Sequence, residues 1–164
     1  MLAAFGVANT LGVRTKHSGR RTAFLKGIVP PDAYERWLGR KARAHAKRDK
    51  GRGHSDVTNA LYKDAIHTDV LLSSGRDAYT NEVLDWHLIS SYKNEDSKTV
   101  RHAYKSCFAL LPTVDHVVAG ATEASFRICS WRTNDAKSDV SAADFVELCI
   151  KVLTYAGYSV TKHH

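Results

Sequence analysis

Residues 114–139, VDHVVAGATEASFRICSWRTNDAKSD, carry the pattern that decides the fold of this chain. An Asp115-His116 pair lies among apolar residues, as at the end of a strand. A short Ala-Gly-Ala loop follows, and residues 124–131 then alternate in the manner of a second strand. The polar residues 134–139 come next, where a helix can start. The order of strand, loop, strand and helix predicts an α+β fold built on a hairpin.

This hairpin suggests where a catalytic site would form. Because a hairpin lays its second strand back along its first, we expect Asn134, just beyond the second strand, to lie near Asp115 and His116. Carboxylate and amide oxygens suit Mg²⁺, or another divalent cation such as Mn²⁺. Neighbouring residues on a strand point to opposite sides, so Asp115 and His116 can take different roles. Histidine, with a pKa near neutrality, is suited to general-base work.

The segment resembles the ββα-metal core of HNH endonucleases. The Asp-His pair, the second strand and the spacing Asn134-x-x-Lys137-x-Asp139 match the usual form of that core. The upstream Arg76-Asp77 resembles the Arg-Asp that often opens such domains, so the resemblance covers roughly residues 76–155. The sequence departs from the family in two ways: no cysteine pairs bracket the core, and the middle Asn is absent, its place falling near Ser125. Packing must then hold the hairpin, with Trp86, Phe108, Phe126 and the last helix as candidates.

The resemblance implies a metal-dependent endonuclease that hydrolyses phosphodiester bonds, with DNA favoured over RNA. Asp115 and Asn134 would hold one divalent metal, and His116 would be the general base. Several cations would contact phosphates: Arg127, Arg132 and Lys137 near the core, and Arg40, Arg43 and Lys47 on an upstream basic helix. The fold class expected is therefore α+β, with a ββα-metal (HNH) core and flanking helices.

Other interpretations of the same residues stay open. The chain could be a noncatalytic nucleic-acid-binding module with a degenerate HNH fold, or an RNase or nuclease toxin that uses the same site. His116 could be a core histidine hydrogen-bonded to backbone. Asn134 with Asp135 could be an ordinary helix N-cap, and Lys137 a solvated charge.

Charge divides the chain into unequal parts. Residues 1–52 hold 13 Lys and Arg against 3 Asp and Glu, whereas residues 53–164 hold 11 against 14. A basic block of this kind is typical of a polyanion-binding face, although a solvated, solubilising surface has the same composition. We expect a basic N-terminal extension over 1–31, either disordered or a targeting segment, a basic helical region over 32–75, and the nuclease core with its C-terminal helix over 76–164.

Periodicity predicts the main helices. One begins near Ala33, and its cations crowd nearly all sides, so we expect it to bury little of itself. A second spans roughly 56–73 with a broad apolar face, and Gly75 would stop it. The last begins at a Ser141–Asp144 capping box, carries an apolar stripe that should face the core, and ends at Gly157.

The remaining composition excludes several classes of protein. No stretch approaches 18 apolar residues, so no transmembrane segment is expected. The three cysteines, Cys107, Cys129 and Cys149, form no C-x-x-C pair and are expected to be buried core residues of a cytoplasmic protein. A homodimer, or a partner subunit that supplies specificity, is compatible with this reading.

Overall fold

Helices surround a two-stranded sheet in the computed structural model of the protein, which describes residues 22–54, 56–92, 106–117 and 125–162. The elements in chain order are a 3₁₀ turn (Ala23–Leu25), α1 (Pro31–Gly51), α2 (Asn59–Ser73), α3 (Leu88–Ser91), β1 (Pro112–His116), β2 (Phe126–Ser130), α4 (Trp131–Lys137) and α5 (Ala142–Tyr155). The fold mixes α and β, as the sequence predicts at that level. The N-terminal extension is described only from Thr22, where Leu25 and Val29 already pack in the core.

Helix α1 is far more buried than its charge suggests. Its inward face is made of residues three or four positions apart, which form a continuous stripe on a helix: Ala33, Tyr34, Trp37, Leu38, Ala42, His45, Ala46 and Asp49. The expectation that this basic helix buries little of itself is therefore wrong. Its cations occupy the positions between these residues, and α1 packs against α2.

Helix α2 confirms most of its predicted apolar face, with Leu61 as the exception. Tyr62, Ile66 and Val70 are buried, whereas Leu61 is 52% exposed. The helix ends through Ser74, in the left-handed conformation, and Gly75, whose φ is +82°. A Cβ at Gly75 would lie 3.1 Å from the Phe24 ring, so both the backbone conformation and the close approach require glycine there.

The sheet is one antiparallel hairpin, and its register corrects part of the sequence argument. Pro112 pairs with Ser130 and His116 pairs with Phe126. The chain therefore leaves β2 beside Pro112, at the opposite end of β1 from His116. The expectation that residues directly after β2 lie beside Asp115 and His116 is wrong on this point. The return is made by α4, along which Lys137 reaches Asp115.

Asp77 fixes the junction between β2 and α4. Its carboxylate accepts hydrogen bonds from the Ser130 backbone N–H at 2.8 Å and the Thr133 hydroxyl at 2.8 Å. It also accepts from the Tyr79 backbone N–H at 2.8 Å. Burial would raise the pKa of Asp77, but these hydrogen bonds outweigh it and lower that pKa. Ser130 caps the helix, since its Oγ accepts from the Thr133 N–H, so Asn134 lies inside α4 and is not an N-cap.

Helix α5 has its predicted start but not its predicted packing. Ser141 Oγ accepts from the Asp144 N–H at 3.1 Å, and Gly157, with φ at +88°, follows its end. None of its residues is buried, so the expectation of a core-facing helix is wrong. Phe145 is partly buried, but the other large apolar residues of the helix are exposed, among them Val146, Leu148, Ile150, Val152 and Leu153. An apolar stripe shows that a helix is amphipathic, but it does not show what packs against the apolar face.

The structure also bears on the predictions about the cysteines and about transmembrane helices. Cys129 is buried, whereas Cys107 and Cys149 are exposed, so the prediction of three core cysteines is wrong for two of them. Within the described ranges, no helix has the length and apolar character needed to cross a bilayer.

Candidate functional site

A cleft of about 710 Å³ opens between three parts of the fold. One wall is a face of α1, the floor is the end of β1, and the other wall is α4 with the turn over residues 137–141. Asp115, His116, Asn134 and Lys137 all line it. The residues that the sequence singled out for metal binding, base catalysis and one phosphate contact therefore line the same cleft.

On the α4 side, Asp115 is a buried carboxylate with two strong partners. The Tyr79 hydroxyl donates to its Oδ2 at 2.5 Å, and the Lys137 ammonium lies 3.2 Å from Oδ1 and from Oδ2. The side chains of Asp115 and Lys137 are only 7% and 4% exposed. Burial raises the pKa of Tyr79, and its hydrogen bond to Asp115 raises it further, so Tyr79 is a fixed hydrogen-bond donor.

His116 faces the opposite side of the strand and meets a different set of groups. Its Nε2 is 2.9 Å from Asp49 Oδ2, and its Nδ1 is 3.2 Å from the Nδ1 of His45. The ring of Phe126, its partner across the sheet, packs beside it at a centroid distance of 5.1 Å. His116 is therefore hydrogen-bonded to side chains of α1, whereas the open alternative was a core histidine bonded to backbone.

Asp49 anchors this second cluster. Its Oδ2 also accepts from the Tyr62 hydroxyl at 2.6 Å, and its Oδ1 lies 3.6 Å from Arg52. Oδ1 is buried without a hydrogen-bond partner. Burial would raise the pKa of Asp49, but the hydrogen bonds from Tyr62 and His116 outweigh it and lower that pKa. Asp49 is therefore an ionised carboxylate behind the histidine.

The α1 wall of the cleft is cationic. Lys41, His45, Arg48 and Arg52 line it at positions i, i+4, i+7 and i+11, which share one helix face. Lys41 donates to Thr113 Oγ1 at 2.7 Å, and burial lowers the pKa of Lys41 to about 8. Burial, together with His116 and Arg48 nearby, lowers the pKa of His45 to about 3, so that ring is neutral. Polyanions would meet positive charge along this wall.

Most of the cations predicted to contact nucleic acid do not line the cleft. Lys137 lines the cleft, but paired with Asp115. Arg40 borders an adjoining pocket that shares Lys41, Thr113 and Asn134 with the cleft. The others lie outside the cleft wall: Arg43 and Lys47 are exposed on α1, Arg127 lies over the Tyr79 ring, and Arg132 pairs with Glu82 on the surface.

Sequence reasoning did not single out seven residues of this site, although Lys41 and Arg48 belong to the predicted basic helix: Asp49, His45, Tyr62, Tyr79, Lys41, Arg48 and Arg52. A usable signal existed for α1, because Lys41, His45, Arg48 and Arg52 repeat at helical spacing along one face. Asp49, four positions after His45, is an acid within a strongly basic run. No local signal marks Tyr62 or Tyr79, since their partners lie 13 and 36 positions away.

Two residues of the cleft carry the oxygen donors that the sequence singled out for a divalent cation. Asp115 and Asn134 offer a carboxylate and an amide oxygen on one cleft, and Mg²⁺ commonly takes one or two protein oxygens together with waters and substrate phosphates. The ammonium of Lys137 already balances Asp115 as a cation would. No group of three or more His, Cys, Asp or Glu side chains in the described part of the chain is arranged to hold a metal.

Comparisons with protein-family models, with curated proteins and with solved structures return no match for this chain.

Proposed function

We propose that this protein is a metal-dependent endonuclease of HNH type that hydrolyses phosphodiester bonds, with DNA as the favoured substrate. One observation carries the proposal: Asp115, His116 and Asn134 line a single cleft whose opposite wall is the cationic face of α1. Hard oxygen donors, a histidine and cations are the groups that phosphodiester hydrolysis uses. The ββα-metal description of β1, β2 and α4 is part of this proposal.

The substrate would lie along the α1 wall. Lys41, Arg48 and Arg52 would contact phosphates flanking the bond to be cut, and such contacts position a strand without reading its sequence. Specificity for a target sequence would then come from other surfaces or from a partner.

The chemistry divides between the two sides of β1. Asp115 and Asn134 would hold the divalent ion, which when bound supplies charge stabilisation at the phosphate and at the leaving 3′ oxygen. His116 takes a proton from the attacking water as the water oxygen bonds to phosphorus. The bond from phosphorus to the 3′ oxygen breaks, and that oxygen takes a proton from solvent. The products are a 3′ hydroxyl and a 5′ phosphate.

Lys137 has two roles in this mechanism, one at Asp115 and one at the substrate phosphate. In the absence of metal it neutralises the buried Asp115, which would otherwise be an unpaired charge. If Asp115 held a divalent ion, the Lys137 ammonium would no longer be needed to balance the carboxylate and could contact a phosphate in the cleft. Tyr79 keeps its hydrogen bond to Asp115 and holds the carboxylate in place.

The test is nicking of supercoiled plasmid by the purified full chain with Mg²⁺, with Mn²⁺ and with EDTA. His116→Ala and Asp115→Asn should abolish metal-dependent nicking. Arg36→Ala is the matched control, because Arg36 is an exposed cation of α1 paired with Asp32 and lies away from the cleft lining. Nicking that persists in His116→Ala would refute the assignment of the base.

A noncatalytic nucleic-acid-binding module is the second candidate, and the Lys137–Asp115 ion pair is the observation that favours it. A lysine that permanently occupies the carboxylate would exclude a metal. Salt-sensitive DNA binding without cleavage, unchanged in His116→Ala, would select this function. Parallel RNA and DNA substrates separate a ribonuclease from a deoxyribonuclease.

A further inference from the structure

We propose that Asp49, on α1, is the positioning residue that fixes the tautomer and ring orientation of His116. The proposal rests on the endonuclease function above, because it assigns the group that prepares the base of that site. It also makes the N-terminal basic helix part of the active site, in addition to being a surface for phosphates.

The hydrogen bond between the two side chains sets the tautomer. Asp49 Oδ2 lies 2.9 Å from His116 Nε2, and the side chains are 6% and 11% exposed. An ionised carboxylate can only accept, so Nε2 must carry its proton. In the neutral ring, Nδ1 is then the nitrogen with the lone pair that a general base needs.

Two aromatic rings hold the imidazole from the other sides. His45 lies with its centroid 4.6 Å from that of His116, and Phe126 lies 5.1 Å away. His45 and Phe126 also pack on each other at 5.2 Å. The Nδ1 of His45 lies 3.2 Å from the Nδ1 of His116, so a water reaches that lone pair only when His45 gives up this contact.

Asp49 is a poor choice for a purely structural link between α1 and β1. Its Oδ1 is buried without a hydrogen-bond partner, and an unsatisfied buried polar atom opposes folding. Arg52 lies 3.6 Å from this oxygen, which is an ion-pair distance but too long for a hydrogen bond, so Oδ1 stays unsatisfied. A carboxylate is, however, the group that orients an imidazole and stabilises it once it has accepted a proton.

The decisive measurement is the ¹⁵N NMR spectrum of the histidine rings in the full chain, above neutral pH. His116→Ala identifies the His116 signals by their loss. In the wild type we expect the tautomer protonated at Nε2. In Asp49→Ala we expect a shift toward a mixture of the two neutral tautomers. An unchanged tautomer in Asp49→Ala would overturn the proposal, whether or not the protein cleaves DNA.

Kinetics give the second readout. Asp49→Ala should lower the single-turnover nicking rate by about 10- to 100-fold, in the range found for residues that orient catalytic ligands, with DNA affinity unchanged. Asp49→Asn keeps an acceptor oxygen and should recover part of the rate. Tyr62→Phe removes the other hydrogen bond to the same Oδ2 but leaves the one to His116, so it should lower the rate less than Asp49→Ala does.

The controls separate positioning from stability and from the function itself. A rate loss in Tyr62→Phe equal to that in Asp49→Ala would show that the cluster acts only through stability, and would refute positioning. Asp32→Asn, an exposed acid at the start of the same helix, controls for the lost charge. A wild type that cuts no nucleic acid would refute the endonuclease, while the ring tautomer would still decide the role of Asp49.

Discussion

The ammonium of Lys137 lies 3.2 Å from both carboxylate oxygens of Asp115, and both side chains are almost fully buried. From the sequence alone we expect these residues to have separate tasks, Asp115 at a metal and Lys137 at a phosphate. Their contact makes the two tasks interdependent, since a cation that approaches Asp115 must displace Lys137. The buried pair also links the strand to the helix that returns along it.

Removal of Lys137 should therefore destabilise the fold. Lys137→Met should lower the free energy of unfolding by about 3–5 kcal/mol, because it leaves the Asp115 charge buried and unpaired. Urea denaturation measures this loss. Lys151→Met is the matched control, since the exposed Lys151–Glu147 pair should contribute less than about 1 kcal/mol. Equal losses in the two variants would show that the Lys137–Asp115 pair is not buried in solution.

A divalent metal should stabilise the wild type and Lys137→Met by different amounts. Since Mg²⁺ would compete with Lys137 for Asp115 in the wild type, and would meet no such competitor in Lys137→Met, it should raise the melting temperature more in the variant. Differential scanning calorimetry with Mg²⁺ or EDTA compares them. No stabilisation of either protein by Mg²⁺ or Mn²⁺ would count against a metal at Asp115.

His45 should make stability depend on pH. Its folded-state pKa is about 3, lowered first by burial, whereas an unfolded histidine titrates near pH 6.5. Between these pH values the unfolded chain binds a proton at His45 that the folded chain does not bind, so a falling pH favours unfolding. The contribution of the neutral His45 to stability is therefore complete above pH 6.5 and is lost as pH falls toward 3. Over this range the free energy of unfolding falls by up to about 1.4 kcal/mol for each unit that the pH falls. His45→Gln should flatten it, as unfolding at several pH values would show, and an unchanged slope would contradict the burial of His45.

The cations of the cleft wall should govern the salt dependence of DNA binding. Arg48→Ala should reduce the slope of log K against log salt by about 0.9, the value for one lost phosphate contact. Arg132→Ala should have little effect, because Arg132 pairs with Glu82 outside the cleft. Fluorescence anisotropy at several salt concentrations measures both, and a larger effect from Arg132 would move the binding surface away from the cleft.

Helix α5 should contribute little through its apolar residues. Val152 is 59% exposed, so Val152→Lys should change the free energy of unfolding by less than about 0.5 kcal/mol. Ile66→Ala, at a fully buried position of α2, should cost about 2–5 kcal/mol. A large loss in Val152→Lys would restore the core-facing position that the periodicity of α5 predicts.

Local patterns predicted the elements well, because capping, apolar spacing and alternation act over a few residues. The capping box at Ser141, the stop at Gly75 and the strand that contains Asp115 and His116 all follow from neighbouring residues. The same patterns were wrong about the burial of two helices, because burial also depends on distant partners. The stripe of α5 is exposed, and the basic helix α1 buries a continuous face.

The sequence by itself determined the chemistry available to this protein: an Asp-His pair on a strand, an Asn and a Lys at fixed spacing, and a basic block upstream. Only the tertiary structure decided how these groups pair. It placed Lys137 on Asp115, and it brought Asp49 to His116 across 67 positions of chain. The physical reason is that spacing fixes which residues share a face of one element, whereas the packing of α1 against the hairpin decides which faces meet.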